Sequence, residues 1–106
     1  MPFSTQNGGL AILASPIALN SSTAVQILPD RSAGGRVSFV LQNQSAIDVF
    51  IGGDSTVTNS GGAKPGILLK GGLSPPYTFT DSTIRGPIWA IAASGTPALV
   101  VLEIMA

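Results

Sequence analysis

Arg36-Val-Ser-Phe-Val-Leu-Gln-Asn43 is the stretch that decides the fold. Val37, Phe39 and Leu41 alternate with Arg36, Ser38 and Gln42. That period of two belongs to a strand with one buried face, not to a helix. The same period recurs on both sides. Val25 and Ile27 alternate with Ala24 and Gln26, and Ile47, Val49 and Ile51 with Asp48 and Phe50. Ile67 and Leu69 follow, then Tyr77 and Phe79 between threonines, while 88–93 and 99–104 are near-continuous apolar runs. Turn chemistry separates the runs: Pro29-Asp30 with Gly34-Gly35, Gly52-Gly53-Asp54, Gly71-Gly72, Pro75-Pro76 and Gly95-Thr96-Pro97. The pattern predicts an all-β chain, an antiparallel β-sandwich or jelly roll, without a long helix.

The N-terminal stretch reads differently. Residues 1–22 carry no charge, are rich in Ser, Asn and Gly, and hold Pro2 and Pro16, which discourage a continuous helix. They also carry Leu10, Ile12, Leu13, Ile17 and Leu19, more apolar side chains than a loose end needs. The expectation is an extended N-terminal arm over 1–22 that is ordered against a neighbouring subunit, followed by a sandwich domain over 23–106. The last run points the same way. Val100, Leu102 and Ile104 alternate with Leu99, Val101 and Glu103, so both faces are apolar. A sandwich strand needs one apolar face. The second is expected to meet another subunit or the arm, with Leu99 and Val101 as contact residues.

Composition removes most chemistry. The chain has 106 residues, no His and no Cys. It therefore lacks an imidazole base, a thiolate and the usual zinc ligands. Charged residues are 9% of the chain, against about 25% in typical domains. The formal net charge is zero, so electrostatic repulsion gives little protection against association. Five Lys and Arg spread along the chain make no basic patch for nucleic acid. No basic residue precedes Arg31, so Leu10 to Leu19 does not read as a secretory signal. That stretch is also too short and too broken to span a bilayer.

Individual motifs are weak. Gly61-Gly-Ala-Lys-Pro-Gly66 lacks the Gly-Lys-Ser/Thr opening of a phosphate loop, and Pro65 blocks the helix that such a loop needs. Asp30, Asp48, Asp54 and Asp81 stand beside turn residues, where Asp commonly caps turns. Asp54-Ser-Thr with Asn59 is thin for a calcium loop. Trp89, Tyr77 and Phe79 could stack on a sugar, yet they sit at alternating strand positions suited to packing. No catalytic residue, cofactor or metal site is expected, and no enzyme.

Several segments taken together carry a resemblance. Arg36-Val-Ser-Phe-Val-Leu-Gln-Asn43 is followed by Val49-Phe-Ile-Gly-Gly53 and Gly66-Ile-Leu-Leu-Lys-Gly-Gly72. Ile88-Trp-Ala-Ile-Ala-Ala93 and Leu99-Val-Val-Leu-Glu-Ile104 close the pattern. This resembles small β-sandwich virion proteins of tailed bacteriophages, some of them capsid cement or decoration proteins, over residues 23–104. The resemblance implies a capsid cement protein, made in the host cytoplasm and located in the virion. It would bridge neighbouring major capsid proteins and associate with itself as a trimer or dimer, with no nucleic acid or membrane partner. The alternative is a binding module of a head fibre, tail fibre or spike, or another head or tail joint. Exposed Asp54, Asn59 and Lys64, with Trp89 or Tyr77, would serve a fibre or spike.

Overall fold

A computed structural model describes residues 11–59 and 66–106, with side chains from residue 16 onward. The described residues form eight strands and no helix. They are β1 (Ala11–Ala18), β2 (Val25–Leu28), β3 (Arg36–Asn43), β4 (Val49–Gly52), β5 (Ile67–Leu69), β6 (Tyr77–Asp81), β7 (Ile88–Ala92) and β8 (Ala98–Met105). Two four-stranded antiparallel sheets result, in the orders β1-β8-β3-β6 and β2-β7-β4-β5. The antiparallel pairs β1–β8, β2–β7, β3–β6 and β4–β5 are those of one long ribbon folded at its middle. Pairs β3–β8 and β4–β7 then roll that ribbon into a sandwich. Period-two alternation gives each strand an inner face, and the two inner faces make one core. Phe39, Leu41, Val49, Leu69 and Leu99 are fully buried there, with Leu28, Ile51, Ile88 and Val101 around them.

The sandwich begins earlier than the sequence reading placed it. Ala11–Ala18 is an edge strand of the first sheet, paired along its length with β8 of the same chain. Leu19 is buried in the core and Ile17 packs against it. An arm ordered only by a neighbour therefore does not describe residues 11–19. Proline is tolerated in an edge strand, whose outer side has no ladder to feed, so Pro16 does not exclude β1. Residues 1–10, Leu10 included, lie outside the described residues.

Arg36 and Val37 exchange the faces read from simple alternation. The β3–β8 register shifts between Arg36 and Ser38, a bulge that gives β3 one extra residue. Arg36 turns inward and is buried, while Val37 is exposed. Phe39 and Leu41 stay inside, as alternation predicts.

Polar side chains close the turns. Asn43 is buried at the end of β3. Its Nδ2 donates to the carbonyls of Ile47 and Leu69, 2.8 Å each, and its Oδ1 accepts from the Ser45 amide and hydroxyl. One side chain thus holds the β3–β4 turn and ties it to β5. Gly71 lies against the same turn. A Cβ there would stand 2.5 Å from the Ile47 carbonyl, so the close approach requires glycine. Gly34 and Gly35 take φ values of 117° and 107° in the β2–β3 turn, a region that side chains rarely enter.

Candidate functional site

The expected contact residues of the last strand are core residues. Leu99 and Val101 face the other sheet, and it is Val100, Leu102 and Ile104 that face outward. Glu103 explains the inversion. It shares the inner face with Leu99 and Val101, and a charge normally marks the solvent face. Here it is buried between two arginines. Arg36 Nε donates to Oε2 at 2.9 Å, and Arg31 donates through Nε to Oε2 at 3.1 Å and through Nη2 to Oε1 at 3.0 Å. Arg36 spends its other donors on the carbonyls of Pro29, Ile84 and Gly86, and its guanidinium lies 5.6 Å from the centre of the Phe39 ring. The cluster joins β8, the bulged start of β3 and the loops after β2 and β6. It is structural, because every buried polar side-chain atom in it has a partner within the fold.

Burial pushes the Glu103 carboxyl up, but the bonds from Arg31 and Arg36 outweigh it and hold the group below its ordinary value of 4.5. Turn bonds do the same for two other acids. The Ser32 hydroxyl and amide lower Asp30, and the Ile84 and Thr83 amides lower Asp81. In each case the unfolded chain takes up protons at a higher pH than the folded one. Stability is therefore expected to be full above about pH 4.5 and to fall as the pH drops through the lowered folded values. Thermal unfolding between pH 7 and pH 3 checks this. The variant Glu103→Gln should show a shallower acid limb, and an unchanged acid slope in that variant would remove Glu103 from the account.

The two outer sheet faces are unlike each other. On the second sheet, Trp89 and Phe50 pack with Ile91, Ala24 and Val57, so the chain's own loops cover the outer side of β7. Asn59 fastens that cover by donating to the carbonyls of Ser21 and Ala92. The outer side of the apolar run 88–93, Trp89 and Ile91, is thus packed against residues of the same chain. On the first sheet, Val40, Val100, Leu102 and Ile104 are half-buried and belong to neither buried cluster. Register sets Val40 beside Leu102, and Leu102 opposite Ala14; Ile104 stands opposite Ile12. Leu13 holds the register position opposite Glu103, and Ile17 that opposite Leu99. The arm residues thus fall at several places in the fold: Ile12 level with the outward row, Ile17 and Leu19 at the core.

A second apolar surface lies where the sandwich is open, between edge strands β5 and β6. A cleft of about 280 Å³ there is lined by Ile51, Ile67, Phe79, Ile84, Pro87 and Ile88, with backbone of three glycines. Ile67 is 58% exposed, and Leu68, Leu73, Tyr77 and Ile84 are also exposed.

Polar groups that could do chemistry are engaged in turns. Asp30 accepts from the Ser32 amide, Asp54 from the Thr56 amide, and Asp81 from the Thr83 and Ile84 amides, each also meeting the hydroxyl two residues on. Asp48 and Lys70 form an exposed pair at 3.5 Å. Lys64 lies outside the described residues. No group of three or more acids stands together among the described residues. No protein-family model matches the chain, and no curated protein or solved structure matches it.

Proposed function

We propose that this chain is a structural subunit of a tailed-phage virion, a capsid cement protein that bridges neighbouring major capsid proteins. One observation carries the reading: a chain of zero net charge keeps two separate apolar surfaces outside its own core. One is the outward row Val40, Val100, Leu102 and Ile104, and the other is the open-edge cleft with Ile67 and Ile84. A cement protein needs apolar surface beyond its own core, for the capsid proteins it bridges and for further copies of itself. Its work is mechanical, since apolar area buried across a joint resists opening at about 25 cal/mol per Å², and many copies act together. The rolled-ribbon strand order supports the reading by analogy of fold. Taken as a jelly roll, it would be an order that virus capsid domains share with lectins and cupins, so it does not by itself select a function.

The fibre or spike alternative draws less support. Asp54 and Asn59 hold their own loops, and half-buried Trp89 packs against the Val57 cluster, so a sugar would find few free polar groups beside an aromatic face. Quantitative mass spectrometry of purified virions tests the proposal. A copy number comparable to that of the major capsid protein is expected. A few copies per particle would move the chain to a fibre or joint, and absence from particles would overturn the virion reading.

A further inference from the structure

We infer that the outer face of the β1-β8-β3-β6 sheet is the contact between two copies of this chain, stacked sheet on sheet about a two-fold axis. This rests on the reading of the chain as an assembly subunit and assigns one of its two apolar surfaces.

Charge is the first argument. Every strand position on this face is uncharged: alternate residues of β1 and β8, then Ser38, Val40 and Gln42 of β3, and Thr78 and Thr80 of β6. A face without charge offers no ionic means to select a foreign partner, and an uncharged surface is its best complement. An identical face meets that requirement. In a two-fold contact a residue on the axis meets its own copy, so a charge at the centre of the face would meet its like. None is, and the net charge of zero adds no repulsion between copies.

Area is the second. β1, β3 and β8 are eight residues long. At roughly 3.3 Å per residue and 4.8 Å between strands, these three and the five-residue β6 cover roughly 450 Å². Two copies would bury about 900 Å² of flat face, and projecting side chains bring the accessible area toward the roughly 1,000 Å² at which specific interfaces begin. Half-buried Val40, Val100, Leu102 and Ile104 make an apolar row along β3 and β8. Gln42 and Thr78, joined by a 3.0 Å hydrogen bond, belong to its polar border on the β6 side. Apolar area bordered by polar side chains is common in contacts.

The edges supply the third argument, since a sheet can also associate by adding strands. Pro16 stands in edge strand β1 and has no amide hydrogen to donate. Pro75 and Pro76 directly precede the other edge strand, β6. Both edges are thus poor templates for a further strand, and stacking of faces remains.

Sedimentation equilibrium of the purified chain tests the inference. The wild type is expected to be dimeric. Leu102→Asp sets two carboxylates in the contact and should raise the dimer dissociation constant at least about 100-fold, with circular dichroism unchanged. Thr80→Lys changes an exposed side chain on the same face, so it does not endanger folding, and should raise the constant about 10-fold. Leu68→Asp, on the other sheet, should leave it unaltered. A monomeric wild type, or dimers that survive both Leu102→Asp and Thr80→Lys, would overturn the inference, as would dimers broken by Leu68→Asp alone. Virion copy number is measured independently, so a monomer abundant in particles would sink the dimer and leave the cement reading standing.

Discussion

Replacing Glu103 by Leu is expected to destabilise the chain by about 3–5 kcal/mol, enough to unfold much of a small domain whose total stability is about 5–15 kcal/mol. The substitution fits the space on the inner face of β8, so lost volume is not the cause. The cause is Arg36. Its guanidinium is fully buried, and without Glu103 it keeps three carbonyl partners but no hydrogen-bonded counter-charge. Arg31, which is 30% exposed, can turn to water and loses less. Arg36→Met should cost a similar amount, because it releases the carbonyls of Pro29, Ile84 and Gly86 together with the Glu103 carboxylate. The double variant R36M/E103L leaves no buried charge unpaired. Its loss should be well below the sum of the two single losses. Urea unfolding of the four proteins measures this cycle. Full additivity would mean that the two residues do not act through each other, and a wild-type midpoint for Glu103→Leu would mean that the pair carries no weight.

Leu99→Ala is expected to cost about 2–5 kcal/mol and Leu102→Ala no more than about 1 kcal/mol. Both replace the same side chain on the same strand, and they differ only in face. Leu99 is fully buried between the sheets, where truncation leaves a cavity among close-packed neighbours. Leu102 lies half-buried on the outer side, where water and adjacent side chains fill the space. The comparison needs protein dilute enough that self-association adds nothing to stability. Equal losses, or the larger loss at Leu102, would reverse the orientation of β8 and with it the placing of the contact face.

Much of the architecture can be read along the chain. The period of two from residue 23 onward and the Gly and Pro punctuation suffice for an antiparallel sandwich, because both are local properties of backbone and side chain. The apolar residues at 17 and 19 are legible as a docked segment. What they dock against is not, since β8 of the same chain satisfies them as a neighbour's surface would, and the pairing spans most of the sequence. Trp89 and Ile91 teach the same lesson. Their need for cover is visible in the composition of the strand, but the loop that supplies it, around Val57, is identified only by its path.

The all-β character, the scarcity of charge and the two apolar faces of the last strand are all legible along the chain. Which of those faces lies inside depends on contacts made across the fold. Read locally, Glu103 marks its own side of β8 as outward, because an isolated carboxylate costs far more to bury than a leucine costs to expose. The partner that cancels this cost stands 67 residues earlier, at Arg36, and a one-residue bulge is what turns Arg36 inward to meet it. Burial of a charge depends on where its counter-charge arrives, which is a property of the folded chain, and here that encounter leaves Val100, Leu102 and Ile104 on the outside.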